Sequence, residues 1–256
     1  MPSSPHFKEF EFDLPRALLR DLVALLDGLG SAPLESRAIE TQIPEEQGVY
    51  QLFLDDKLVY IGKTDAEAGL RARLSRHSRK ILQRKHLDPA RVSFKAVRIF
   101  VFTAVDLETL LITYYSDRDG RRPSWNSSGF GSNDPGRERD TTRLKVEHFD
   151  AQYPIDIDNH PIEVGVRGEM SAATLLAALN KAVPFIVRTQ NAGGRSRQPH
   201  ADLETTKVSV PEGPHSARAI LRMAASALGP AWQITVLPGY VIVYKEQAIY
   251  HHAQVL

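Results

Sequence analysis

Residues 47–63 read QGVYQLFLDDKLVYIGK. Two short runs rich in Val, Leu, Ile, Phe and Tyr flank Asp55, Asp56 and Lys57, the pattern of a β-hairpin. The register of that hairpin decides what its tyrosines can do. A three-residue turn sets Leu54 opposite Leu58, Leu52 opposite Tyr60 and Tyr50 opposite Gly62, so that Tyr50 and Tyr60 share one face. A two-residue turn would separate them onto opposite faces.

Upstream, Asp13 to Gly30 reads as a packing helix. Asp13 is the N-cap, Pro15 is tolerated in the first turn, and Leu14, Leu18, Leu22, Leu25 and Leu29 recur at helical spacing. Downstream, Gly69 to Lys85 reads as a helix with Leu70, Leu74, Ile81 and Leu82 as its apolar stripe. Arg73 and His77, four apart, border that stripe. Arg91 to Phe102 then reads as a strand. Thr103 with Asp106 resembles a capping box opening a helix through about Tyr115, with Glu108 in its second turn. A loop rich in Gly, Pro, Asn and Arg follows from Asp117 to Arg139.

Gly48-Val49-Tyr50, then Tyr60-Ile61-Gly62, resembles the paired signature of the GIY-YIG nuclease superfamily. Lys63 follows, and Arg73 lies where that superfamily keeps its helix arginine. His77 comes one turn later, and the acid Glu108 follows the next strand. Pro123-Ser124-Trp125-Asn126 and Gly129-Phe130-Gly131-Ser132-Asn133-Asp134-Pro135-Gly136 are similar to the loop signature of the type II restriction endonucleases of that superfamily. The resemblance spans about Gly48 to Asp150. The stretch between the two tyrosines is compact where that branch can carry an insertion, so contacts with the target are expected to differ.

The resemblance implies an α/β (α+β) chain with a nuclease domain over residues 1–150, a small mixed sheet flanked by helices. It implies metal-dependent hydrolysis of phosphodiester bonds in double-stranded DNA, of restriction or defence type. The alternatives are a nuclease of repair or mobile-element type and a catalytically silent DNA-binding module. One Mg2+ (Mn2+ can substitute) would be held by Glu108, and Arg73 would fix the phosphate through its guanidinium. Tyr60 would orient the phosphate, Asn126 would position it, and Tyr50 or His77 would activate the water. A free tyrosine titrates near ~10, about three units above neutrality or roughly 4 kcal/mol, whereas histidine titrates near ~6.5. A homodimer and a companion methyltransferase or defence subunit are possible partners.

Net charge is only +1, yet Arg71 to Arg98 holds ten Lys/Arg against one acid, Asp88. A basic face of this kind suits a polyanion. Lys63, Arg71, Arg76, Arg79, Lys80, Arg84, Lys85, Asn133 and Arg137 are the candidate DNA contacts. The absence of cysteine excludes disulfides, thiol nucleophiles and cysteine metal sites. With no apolar run near ~20 residues and no basic-then-apolar leader, a soluble cytoplasmic protein without membrane contact is expected.

The composition shifts after about Asp150. Ile162-Glu-Val-Gly-Val with Ser171-Ala-Ala-Thr-Leu-Leu resembles Lys207-Val-Ser-Val-Pro with Ser216-Ala-Arg-Ala-Ile-Leu, an offset of 45 residues. Each copy reads strand, turn, Ser-capped helix, proline (Pro184, Pro230) and strand. Trp232 to Lys245 reads as a closing hairpin around Pro238-Gly239, and Thr189 to Thr206 as an exposed linker. Residues 151–256 are therefore expected to form an accessory α/β module of two βαβ-like units, removable after about Tyr153, that sets target choice or partner binding; the rival reading is structural, with helices Ser171 to Lys181 and Ser216 to Leu228 completing the core.

Overall fold

The computed structural model describes the chain except residues 1–5, 7, 10, 12, 65–67, 101–105, 132–135, 164–167 and 194–195. Among the described residues it is a mixed α/β protein with eight α-helices and four small mixed or antiparallel sheets. Two compact units divide it: Met1–Ser75 with Val92–Pro123, and Arg76–Arg91 with Ser124–Leu256.

The first unit contains α1 (Leu14–Gly28), β1 (Ala32–Pro33), α2 (Ser36–Gln42), β2 (Gly48–Leu54), β3 (Lys57–Lys63), the start of α3 (Leu70–Lys80), β4 (Val92–Arg98) and α4 (Leu107–Asp119). Its sheet runs β1-β4-β2-β3 with antiparallel neighbours. Val49, Ile61 and Val97 pack with Leu22, Val23 and Leu26 of α1 and with Leu107, Leu111, Ile112 and Tyr115 of α4. Asp13 caps α1 as expected, accepting from the Arg16 N–H at 3.0 Å. The buried seam of α1 is rotated from the expected leucine stripe: Leu25 is 50% exposed, and Val23 and Leu26 take the core side.

The hairpin reaches the expected pairing by another route. Leu54 faces Lys57, so the turn has two residues, Asp55 and Asp56, both left-handed (φ 49° and 60°). Such a turn matches the strand twist. The register then shifts between Leu52 and Phe53, with Phe53 opposite Leu58 and Leu52 opposite Tyr60. Val59 is the extra residue, a β-bulge. The bulge undoes the one-residue slip that a two-residue turn would impose, and Tyr50 and Tyr60 end on one face.

Three boundaries differ from the sequence reading. α3 ends at Lys80, and the left-handed φ of 49° at Gln83 keeps the helical path from reaching Arg84 and Lys85. β4 ends at Arg98. α4 begins only at Leu107, because Asp106 is itself the N-cap, accepting from Thr109 Oγ1 at 2.7 Å. Thr103 and the expected capping box lie outside the described residues. Glu108 therefore sits in the first turn, where the helix dipole favours a carboxylate.

The second unit continues with α5 (Phe149–Gln152), β5 (Pro161–Ile162), β6 (Gly168–Ser171), α6 (Ala172–Ala182), β7 (Ile186–Thr189), α7 (Ala201–Thr205), β8 (Lys207–Val210), β9 (His215–Ser216), α8 (Ala217–Leu228), β10 (Gln233–Val236), β11 (Tyr240–Tyr244) and β12 (Gln254–Val255). The two Ser caps are present: Ser171 accepts from the Thr174 N–H and Ser216 from the Ala219 N–H, each at 3.2 Å. The repeats do not form separate βαβ sheets. Strand β5 of the first copy pairs with β9 of the second, and β6 of the first with β8 of the second. The copies interlock reciprocally around one shared core that includes Leu175, Leu179, Ile220 and Leu221. The expected closing hairpin is β10–β11, and β7 joins β11 in parallel. Within the expected linker, residues 201–205 are helical.

The expected boundary near residue 150 is not where the units divide, because Ser124 to Tyr153 belongs with the chain that follows. Asp140, 3% exposed, accepts from Arg188 at 2.9 Å and from the Tyr240 hydroxyl at 2.6 Å. Asp150 lies against Gly239 and pairs with Arg84 at 2.9 Å. A fragment of residues 1–153 lacks Arg188, Tyr240 and Gly239 and retains Trp125 as its one tryptophan. Its tryptophan emission is expected to shift to the red, with loss of the near-UV CD of a packed indole. A blue-shifted Trp125 and cooperative melting of that fragment would restore the removable-module reading.

Candidate active site

Strands β2 and β3 place the two tyrosines. Tyr50 is 1% exposed, and its ring centroid lies 6.0 Å from that of the half-buried Tyr60. Their hydroxyls share a hydrogen bond. Gly62, opposite Tyr50, is required by this closeness. A methyl group there would lie 2.5 Å from Tyr50 Cζ and 2.9 Å from Tyr60 Cε1. Gly48 is equally constrained, backed by the Val97 carbonyl and the Leu70 side chain. Its N–H donates to Thr64 Oγ1 at 2.9 Å, and Thr64 N–H returns a bond to the Gly48 carbonyl at 2.9 Å. The two glycines of the signature are thus packing requirements of the tyrosine pair and of the strand beside α3.

Gly62→Ala is expected to push the phenol rings apart and destabilise the fold by about 1–3 kcal/mol, as overpacking does. Heat unfolding and near-UV CD in the tyrosine band check this. An unchanged tyrosine signal would show that the pair does not need the space.

Electrostatics bring Arg73, Lys63 and Glu108 to the same place. Burial raises the Tyr50 pKa, Tyr60 adds to the rise, and Arg73 opposes it. Burial and then the Glu108 charge raise Tyr60, with Arg73 again opposing. Glu108 is half-buried, and burial raises its carboxyl above the ordinary value, whereas the Lys63 ammonium, the Lys63 N–H and Arg73 favour its ionised form. Asp106 is different. It holds Lys63 at 2.8 Å and caps α4, and Lys63 with Thr109 lowers its pKa to about 2. The Nε of Arg73 is buried and has no hydrogen-bond partner among the described residues. The first unit therefore gathers two phenols, a guanidinium with an unused donor and a carboxylate short of compensating charge.

The remaining expected residues fall in the second unit or outside the described residues. His77 is in the second unit, 1% exposed, with its ring stacked on Phe130 at 4.8 Å. Asn126 is half-buried in the turn segment whose Trp125 and Phe130 rings pack 4.7 Å apart in that unit's interior. Asn133 lies outside the described residues.

The basic segment is more committed than its charge suggested. Arg84 is 8% exposed and bound to Asp150 and the Tyr153 carbonyl, so its charge is spent inside the fold. Lys80 donates to the Gly129 and Phe130 carbonyls. Arg71 donates to the Ile43 carbonyl and to Glu45. Arg137 lies over the Tyr244 ring and 3.9 Å from Glu246. Lys85 is half-buried, and its charge acts on Asp158. Arg76 and Arg79 are exposed on α3.

Among the described residues no group of three His, Asp or Glu side chains could hold a metal ion. Magnesium does not require one, since it is commonly bound through one or two carboxylates with waters and substrate phosphates. A half-buried Glu108 with its charge under-compensated fits that chemistry, and Asp106, already paired, is spoken for. Asp106 was missed as a functional neighbour in sequence. Its signal was available in Asp106-Leu-Glu-Thr109, an N-cap spacing.

Compared with known proteins, the chain matches no family model and no curated relative.

Proposed function

We propose that this protein is a metal-dependent endonuclease of the GIY-YIG type that hydrolyses phosphodiester bonds in double-stranded DNA, serving restriction or defence. One observation carries the reading: Tyr50, Tyr60, Arg73 and Glu108, ordered in sequence as in that superfamily, sit in one mutual electrostatic field in the first unit. Glu108 would hold Mg2+ (or Mn2+), which when bound offsets the charge that builds on the attacked phosphate. The Arg73 guanidinium would hold a non-bridging phosphate oxygen, for which its planar set of donors is suited.

Burial keeps Tyr50 a neutral phenol at neutral pH, so it serves as a donor rather than as a resting base. Either hydroxyl of the pair can donate to the other. A hydrogen bond from Tyr50 to Tyr60 would polarise the Tyr60 O–H for donation to the phosphate.

Incubation with mixed duplex DNA and Mg2+, followed by sequencing of the ends, tests the proposal. Cleavage at fixed positions supports restriction, and scattered ends support a repair or mobile-element role. Duplex binding without cleavage in Mg2+ or Mn2+ would overturn the nuclease reading and leave a DNA-binding module.

A further inference from the structure

Lys63 and Glu108 carry opposite charges and act on one another, yet they are not paired. The Lys63 ammonium and the Lys63 backbone N–H both bear on the Glu108 carboxylate. The ammonium nevertheless makes its one ion pair among the described residues with Asp106, at 2.8 Å. Glu108 has no ion-pair partner among the described residues.

Asp106 divides its two oxygens. Oδ1 accepts from Lys63 Nζ, and Oδ2 accepts from Thr109 Oγ1 at 2.7 Å. Asp106 is also the N-cap of α4, and Glu108 is the acid of that helix's first turn. The group that takes the ammonium is therefore fixed to the same turn as the group that does not. Stability does not account for the arrangement. The side chains of Lys63 and Asp106 are 43% and 54% exposed, and an ion pair so exposed contributes little to a fold. Capping does not account for it either, since serine caps a helix about as well as aspartate. What the aspartate adds is charge and reach toward Lys63.

The consequence falls on Glu108. An ammonium and a divalent cation are attracted to the same carboxylate oxygens, so they compete for them. With Asp106 holding Lys63, the two charges offset one another beside Glu108 and its oxygens stay open. Without that aspartate, the carboxylate left to Lys63 on the first turn is Glu108.

We propose that Asp106 is a positioning residue that draws Lys63 off Glu108 and so keeps the Glu108 oxygens open to a divalent cation. Asp106 acts here through Glu108, so the proposal rests on the metal role given to Glu108 above.

The test is a double-mutant cycle on the full chain without DNA, read as Mn2+ affinity from the EPR signal of the free ion. Asp106→Ser keeps an N-cap and releases Lys63, and the Mn2+ dissociation constant is expected to rise about tenfold. Lys63→Ala in that background should return it to near the wild-type value, whereas Lys63→Ala in the wild type should change it far less. Asp106→Asn, which keeps the cap and the shape without the charge, repeats the cycle where the serine variant does not melt cooperatively. Equal effects of Lys63→Ala in both backgrounds would make Asp106 a distant charge, and unchanged affinity of Asp106→Ser would make it a cap. Either result overturns the proposal while the metal role of Glu108 stands. Wild-type Mn2+ binding no tighter than that of Glu108→Gln removes that role, and the proposal with it.

Discussion

Glu108→Gln is expected to lower the cleavage rate at least ~100-fold while leaving duplex affinity nearly unchanged, the loss typical of removing one key electrostatic group at a reacting centre. The amide keeps the shape and the first-turn position on α4 but cannot supply the anion. Arg73→Ala should act comparably, because its guanidinium is the cation proposed to hold the phosphate. Stability separates this from a merely structural role. The folded pKa of Glu108 lies above its ordinary value of 4.5, so its ionised form weakens the fold at neutral pH. Glu108→Gln should therefore raise the melting temperature at pH 7, and the gain should fade as the pH falls toward 4.5. Wild-type cleavage should decline over the same descent, beginning above 4.5, as the carboxylate is protonated. Cleavage by the variant at wild-type rate would remove Glu108 from the site. Lost cleavage with a lowered melting temperature would assign it to the core.

Local chemistry made the gathering of Tyr50, Tyr60, Arg73 and Glu108 legible in sequence; the obstacles came from tertiary context. The tyrosine pairing followed from strand alternation, although the turn was one residue shorter than expected and Val59 restored the register. Glu108 was identified but placed a turn too deep, because Thr103 and Asp106 both look like caps and the described helix starts from Asp106. The second unit was legible as a repeat through its two serine caps. That β5 and β6 would pair with the other copy was not, since pairing partners distant in sequence leave no mark in periodicity. The positive stretch was the poorest guide. Charge counts a lysine or arginine equally whether it faces water or a buried acid, and Arg84 illustrates the difference.

Arg84→Ala is accordingly expected to act on folding and not on DNA. Its side chain is 4% exposed against 10% for Asp150, and it also donates to the carbonyls of Lys80 and Tyr153. Burial lowers the Arg84 pKa, and the Asp150 charge and hydrogen bond oppose that fall only in part. Removing one partner of such a buried pair costs about 3–5 kcal/mol, because the survivor stays desolvated and unpaired. Replacing both, as in Arg84→Met with Asp150→Leu, should recover much of that loss. A group that touches phosphate behaves differently: each contact contributes about 0.9 to the slope of log affinity against log salt. Arg84→Ala should therefore lower the denaturant midpoint and leave the salt slope of duplex binding unchanged. Arg79→Ala, at an exposed position of α3, should flatten the slope and leave the midpoint alone. A flattened slope for Arg84→Ala without destabilisation would return that arginine to the DNA surface and remove the ion pair as the tie between the end of α3 and α5.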